Sequence, residues 1–159
     1  MSKVAIVCAF DTYFDRVRML RTYFKHKGDE VIVLTSDFSH REKQKIQYYP
    51  GADHLIPAHP YTKNLSVHRL YSHYMLAKKM KAKIEEIKPD VIYCLVPANS
   101  LTKMMALYKK EHPEVRLYFD VIDLWPETMP INKYLSLPPF RIWRKLRDKY
   151  LAAADRVFT

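Results

Sequence analysis

The sequence predicts an α/β domain with a doubly wound, mostly parallel sheet. Three observations carry this. Short apolar runs rich in β-branched residues recur along the chain. Stretches with apolar residues at helical spacing alternate with them. Most of the short runs are apolar on both faces, as strands are when helices cover both sides of a parallel sheet.

The elements follow in order. Val4–Ala9 is the first strand. Val17, Leu20 and Phe24 then recur at helical spacing, and Gly28 stands where a glycine ends a helix. Val31–Thr35 is the second strand, and His54–Ile56 is a weaker one. Residues 37–66 are otherwise polar and rich in Tyr and His, and are expected to form a long loop with little secondary structure. From Val67 to Ile87 a stripe of Val67, Tyr71, Tyr74, Ala77, Met80, Ile84 and Ile87 marks a long helix, stopped by Pro89. Val91–Val96 is a strand apolar throughout. Ser100 is placed to cap a helix carrying Leu101, Met104, Met105 and Tyr108. Val115–Ile122 is the next strand. Residues 124–139 hold four prolines and are expected to be irregular. A last helix spans Pro139 to Ala153, and Val157–Thr159 opens a final strand.

Composition narrows the function. The 159 residues fit one domain with one core, and 48% are apolar. A net charge of +10 points to an anionic partner: a lipid surface, a nucleic acid or a phosphorylated substrate. The chain contains two glycines, Gly28 and Gly51. A Walker loop or a GxGxxG turn needs several, so a nucleotide is not cradled here in that way. Cys8 and Cys94 lie in apolar runs and are expected as buried thiols. The seven histidines lack metal-site spacing, so no metal is expected. The apolar run Val4–Phe10 is too short to span a membrane or to resemble a signal peptide, which points to the cytoplasm.

Three groups of residues invite chemistry. The first surrounds the turn after strand one, where Asp15, Arg16 and Arg18 flank a helix start suited to anions. The bland alternative is a capping aspartate with solvated arginines. The second is Asp120, Asp123, Trp125 and Glu127 at the end of the Val115–Ile122 strand. A carboxylate there can bind sugar hydroxyls or accept a proton, and Trp125 can stack on a sugar ring. Equally, Asp123 caps a turn and Trp125 fills core. The third is basic: Lys78, Lys79, Lys81 and Lys83 on the long helix, and Arg141, Arg144, Lys145, Arg147 and Lys149 beside Phe140, Ile142 and Trp143 on the last one. These suit an anionic bilayer or a nucleic acid. They also suit a merely solvated helix face.

Several segments resemble, in order, the N-terminal domain of family 4 glycosyltransferases of the GT-B fold, especially those that build bacterial capsule, exopolysaccharide or O-antigen. Lys3–Phe10 looks like that family's first strand. Asp15-Arg16-Val17-Arg18 is similar to its entry to helix one, Lys27-Gly28-Asp29-Glu30-Val31 to its next turn, and Lys88-Pro89-Asp90-Val91-Ile92-Tyr93 to a later strand. Asp123-Leu124-Trp125-Pro126-Glu127 is the most specific match. Ala153–Thr159 looks like the family's last strand before the interdomain linker. Two departures stand out. Asp11-Thr12-Tyr13 replaces a glycine pair that in relatives approaches the donor diphosphate, and Ile122 stands where many relatives carry a histidine.

The resemblance implies a Rossmann-like half of a GT-B enzyme: residues 1–159 form the acceptor-side domain, and the donor-binding domain is absent. It implies sugar transfer from a nucleotide-sugar to a saccharide or lipid-linked acceptor in cell-surface polysaccharide synthesis. This chain alone would then be inactive and need a C-terminal donor domain or a partner subunit. Asp123 would be the catalytic-site carboxylate. Asp15, Arg16, Arg18, Asp120, Trp125 and Glu127 would bind substrate. Lys78, Lys79, Lys81, Lys83, Arg141, Arg144 and Lys145 would rest on the inner face of the membrane. No cofactor and no nucleic acid are implied. The alternative is a non-catalytic α/β module whose basic face holds nucleic acid or a partner protein.

Overall fold

A computed structural model describes residues 1–64, 66–128 and 135–159. Its centre is a six-stranded sheet with every neighbouring pair parallel. In chain order the strands are β1 (Lys3–Val7), β2 (Glu30–Ser36), β5 (His54–Ile56), β6 (Val91–Val96), β7 (Arg116–Val121) and β8 (Arg156–Phe158). Their spatial order is β5-β2-β1-β6-β7-β8. Numbered within the sheet this reads 3-2-1-4-5-6, the doubly wound Rossmann order. The order reverses between β1 and β6, so a crevice opens beyond the carboxyl ends of these strands.

The sheet is buried from both sides because its strands are apolar on both faces. Val4, Ile6, Val33, Tyr93 and Leu95 meet Phe14, Val17, Leu20 and Phe24 of α1 (Phe14–His26). Alternate residues, among them Ala5, Val7, Ile92, Cys94, Leu117 and Phe119, face α2 (Val67–Ile87) and α3 (Asn99–Glu111). Helix α4 (Pro138–Leu151) lies beside α3 in that second layer. Beyond α1, the first face carries a groove of about 620 Å³ over β6, β7 and β8, floored by Tyr93, Tyr118 and Phe158.

Local signals explain the helix ends. Helix α1 closes in a Schellman motif: Asp29 N–H donates to Phe24 C=O and Gly28 N–H to Lys25 C=O. Gly28 takes φ of 80°, which glycine adopts without steric penalty. Ser66 caps α2, its hydroxyl accepting from the Arg69 N–H at 3.2 Å. Two helix starts differ from expectation. Tyr13, not Asp15, is the N-cap of α1, and Asp15 sits in the first turn, where a carboxylate favours the helix dipole. Ala98, not Ser100, precedes α3, because extended backbone at Ala98 lets its carbonyl accept from Leu101 and Thr102. The Ser100 hydroxyl is buried without a partner among the described residues.

The 37–66 segment is more ordered than expected. It contains a small antiparallel pair, β3 (Phe38–Ser39) with β4 (Gln44–Lys45), before β5. Aspartates pin it. Asp37 accepts from the Ala58 N–H at 2.8 Å and from Lys45 Nζ at 2.7 Å. Asp53 accepts from the Val33 N–H and from Arg21. Asp11, in the turn after β1, accepts from Ser39 Oγ at 2.5 Å and from the His40 N–H at 3.0 Å. The 37–45 hairpin is thereby tied to the switch point.

Candidate functional site

The crevice is built from five segments. The turn after β1 supplies Phe10, Asp11 and Tyr13. The 37–66 segment supplies His40, Lys43 and Tyr61. The first turns of α2 supply Arg69 and His73. The turn after β7 supplies Asp123 and Trp125, with Asn99 from the start of α3. Aromatic packing holds the group together. Phe10 touches His40, His73 and Trp125 with ring centres 5.2, 5.1 and 5.7 Å apart. His73 stacks on Trp125 at 5.9 Å.

Trp125 is the hub. It is buried, its indole N–H donates to Asp123 Oδ2 at 2.8 Å, and its carbonyl accepts from Asn99 and from Arg147. Its ring faces His73 and Arg69, so its stacking surface is occupied by protein. Asp123 is half-buried, with one oxygen engaged by Trp125. Its backbone N–H and that of Ile122 donate to Val96 C=O, which fixes the turn to the end of the neighbouring strand β6.

The other expected residues divide. Arg16 and Asp120 do converge, on one another: Arg16 Nε donates to Asp120 Oδ2 at 2.8 Å, and Tyr93 OH donates to the same oxygen at 3.2 Å. The pairing raises the Arg16 pKa further. Burial, then Asp120, pushes the Tyr93 phenol up to about 12. Arg18 pairs with Asp15 on the exposed side of α1. Glu127 accepts from Arg147 at 2.5 Å.

Arg147 is the functional-region residue that sequence reasoning placed elsewhere. Grouped by sequence with surface cations, it is 5% exposed and clamps the 125–127 turn from α4. Among the other basic residues, Lys79 donates to Pro57 C=O and Lys83 to Glu86. Lys81 bonds both Glu85 and Glu111. With His112 these two carboxylates form the one cluster of metal-type ligands among the described residues, and Lys81 already supplies its cation. Lys78 lies over the Tyr74 ring. Arg141 and Lys145 are exposed and Arg144 half-exposed, beside the exposed Ile142 and Leu146.

The electrostatics of the crevice are unusual. Burial first, and then neighbouring cations, lowers the His40 pKa to about 4 and the His73 pKa to about 3. Both rings are therefore neutral at pH 7. His40 Nδ1 lies 2.7 Å from Tyr61 OH, and burial raises that phenol to about 12. Burial raises the Tyr13 phenol likewise, with Asp123 adding to it. Cys8 and Cys94 are fully buried, and burial drives both thiols upward, Cys8 to about 12, which makes them inert rather than nucleophilic.

The sequence matches no family model and no curated protein. Solved structures do match the fold. A UDP-N-acetylglucosamine 2-epimerase aligns over 99% of this chain and 41% of its own, at 17% identity and a TM-score of 0.59. The UDP-GlcNAc 2-epimerase of Methanocaldococcus jannaschii aligns over 99% of this chain and 39% of its own, at 12% identity and a TM-score of 0.58. An alpha-glucosyltransferase, solved with UDP and a mismatched DNA 13-mer, aligns over 99% and 36%, at 13% identity and 0.52. The chain thus spans about two-fifths of these neighbours' length and has the fold of a Rossmann-like GT-B half-domain. Among the described residues no helix is long and apolar enough to cross a membrane.

Proposed function

We propose that this chain is the acceptor-side half of a glycosyltransferase, which moves a sugar from a nucleotide-sugar to a saccharide or lipid-linked acceptor. The observation that carries the reading is the Asp123–Trp125 turn at the switch-point crevice. A half-buried carboxylate there is held by an indole N–H on one oxygen, leaving its other oxygen for a substrate hydroxyl. The neighbours' names, which involve UDP-linked sugars or UDP, support the same substrate class. The donor is expected to be held mainly by a second domain, and the chemistry to rest on positioning and charge stabilisation. A place in bacterial cell-surface polysaccharide synthesis goes with this reading.

The acceptor side of such an enzyme meets a lipid-linked substrate at the membrane surface. Leu137, Ile142 and Leu146 are 45, 57 and 46% exposed beside Arg141, Arg144 and Lys145. That pairing of apolar and basic residues suits an anionic leaflet. Release of nucleoside diphosphate by the full-length protein, across a panel of nucleotide sugars, tests the reading. Asp123→Ala is expected to lower turnover about 100-fold or more while the fold is kept. Unchanged turnover removes Asp123 from the site, and no release with any donor removes the transferase reading.

A further inference from the structure

Arg69 differs from Arg147, the other arginine buried among the described residues, which faces Glu127. Arg16 and Arg21 also face carboxylates. Arg69 is 6% exposed, and no carboxylate among the described residues lies within ion-pair reach. The residues outside the described set, Leu65 and 129–134, include no acid in the sequence. Arg69 Nη1 donates to Asn64 C=O at 2.7 Å, while Nε is buried with no partner. The guanidinium lies over the rings of Trp125, Tyr61 and Phe10, 4.5, 5.8 and 5.9 Å from their centres. One turn along α2, His73 Nε2 is also buried and unpartnered.

A second cation joins it. Lys43 Nζ sits 4.8 Å over the other ring shared with Arg69, that of Tyr61, and bonds Asn64 Oδ1 at 2.5 Å. It has no carboxylate partner among the described residues either. The two acids nearest this corner are engaged by neutral donors, Asp11 by Ser39 and the His40 N–H, Asp123 by Trp125. Burial disfavours the charged form of Arg69, and burial and then the Arg69 charge disfavour that of Lys43. A buried cation with no carboxylate in contact is costly, and a ligand anion relieves it.

We propose that this corner of the crevice seats an oxyanion of the substrate, a phosphoryl or carboxylate group, on Arg69 and Lys43. The inference rests on the crevice being the substrate site and extends it: the group that reaches Asp123 carries a negative charge a few ångströms away. Planar Arg69 grips two oxygens through paired N–H donors, and Lys43 adds a point charge. Arg16, which the sequence offers as the phosphate ligand, has its charge matched by Asp120.

Calorimetry on the 159-residue chain at low salt tests the seat, with inorganic phosphate, pyrophosphate and glucuronate as probes. Wild type is expected to bind at least one of them. Tighter binding of phosphate or pyrophosphate than of glucuronate assigns a phosphoryl group, and the reverse assigns a carboxylate. Arg69→Gln is expected to weaken binding about 10- to 100-fold. Lys43→Gln, at a half-buried position where folding is less at risk, is expected to weaken it about tenfold. If the Arg69 variant does not fold, the Lys43 variant decides. Lys110→Gln, on the exposed side of α3, removes the same charge and should change nothing. Absence of binding to all three probes overturns the proposal, as does equal loss in the Lys110 variant or no loss in the Lys43 and folded Arg69 variants. The probes contain no nucleotide and require no turnover. A chain that binds them yet belongs to an inactive enzyme refutes the transferase reading alone; an active enzyme whose chain ignores them refutes the seat alone.

Discussion

The Arg16–Asp120 pair is expected to be structural before it is anything else, and a double-mutant cycle measures this. Asp120 points from β7 into the face covered by α1, and its side chain is 6% exposed. It has two donors, Arg16 Nε at 2.8 Å and Tyr93 OH at 3.2 Å. Arg16→Gln takes away the charged donor and leaves a desolvated carboxylate with one neutral partner. Such a loss costs about 1–3 kcal/mol, below the range for a fully buried pair, because the Arg16 side chain is 42% exposed and water shares its charge. For a domain of this size a 2 kcal/mol loss lowers Tm by about 4–8 °C. Asp120→Asn alone should cost a similar amount. The double variant removes both charges and should lose little more than either single, giving a coupling energy of about 1–3 kcal/mol. Urea melts of the four proteins supply it. A coupling within about 0.5 kcal/mol would refute the view that these groups hold one another.

Three further outcomes follow from the geometry. Gly28→Ala should cost about 1 kcal/mol in a thermal melt: no atom within 4 Å would meet the added methyl, so the loss is the conformational penalty of φ 80° alone. Arg147→Met should cost about 2–3 kcal/mol and raise the fluorescence mobility of Trp125, since it takes one of two donors from the Trp125 carbonyl and the cation from Glu127. His40 and His73 have folded-state pKa values lowered to about 4 and about 3, so the unfolded chain binds protons first on acidification. Their contribution is complete above about pH 6.5 and is lost as pH falls from there towards 4 and 3, at up to about 1.4 kcal/mol per pH unit for the buried His73. Urea melts from pH 7 to 4 should flatten in His73→Asn; the same slope in that variant would show that other groups set the acid response.

Much of the fold was legible because parallel strands buried on both faces must be apolar throughout. Val91–Val96 and the 67–87 helix stand out for this reason, and their limits agree with the structure. The hairpin in 37–66 was not legible. Its two-residue strands have no apolar pattern, and Asp11, far away in sequence, and the adjacent Asp37 hold it. The turn at Asp123–Glu127 was singled out by residue type. Its neighbours were not, since nothing in a helical sequence marks Arg69 or Arg147 as inward-facing among so many outward-facing cations.

Sequence alone determined the alternation of elements, the absence of a glycine-rich phosphate loop and the excess of positive charge. Those follow from residue chemistry within a few positions of the chain. Tertiary structure alone decided which charges are spent and which are spare. Asp120, 104 residues from Arg16, neutralises it; Asp123 and Asp11 are held by neutral donors; Arg69 and Lys43 make no ion pair among the described residues. Whether a charge is matched depends on what lies within a few ångströms in space, and only the folded sheet brings those groups together.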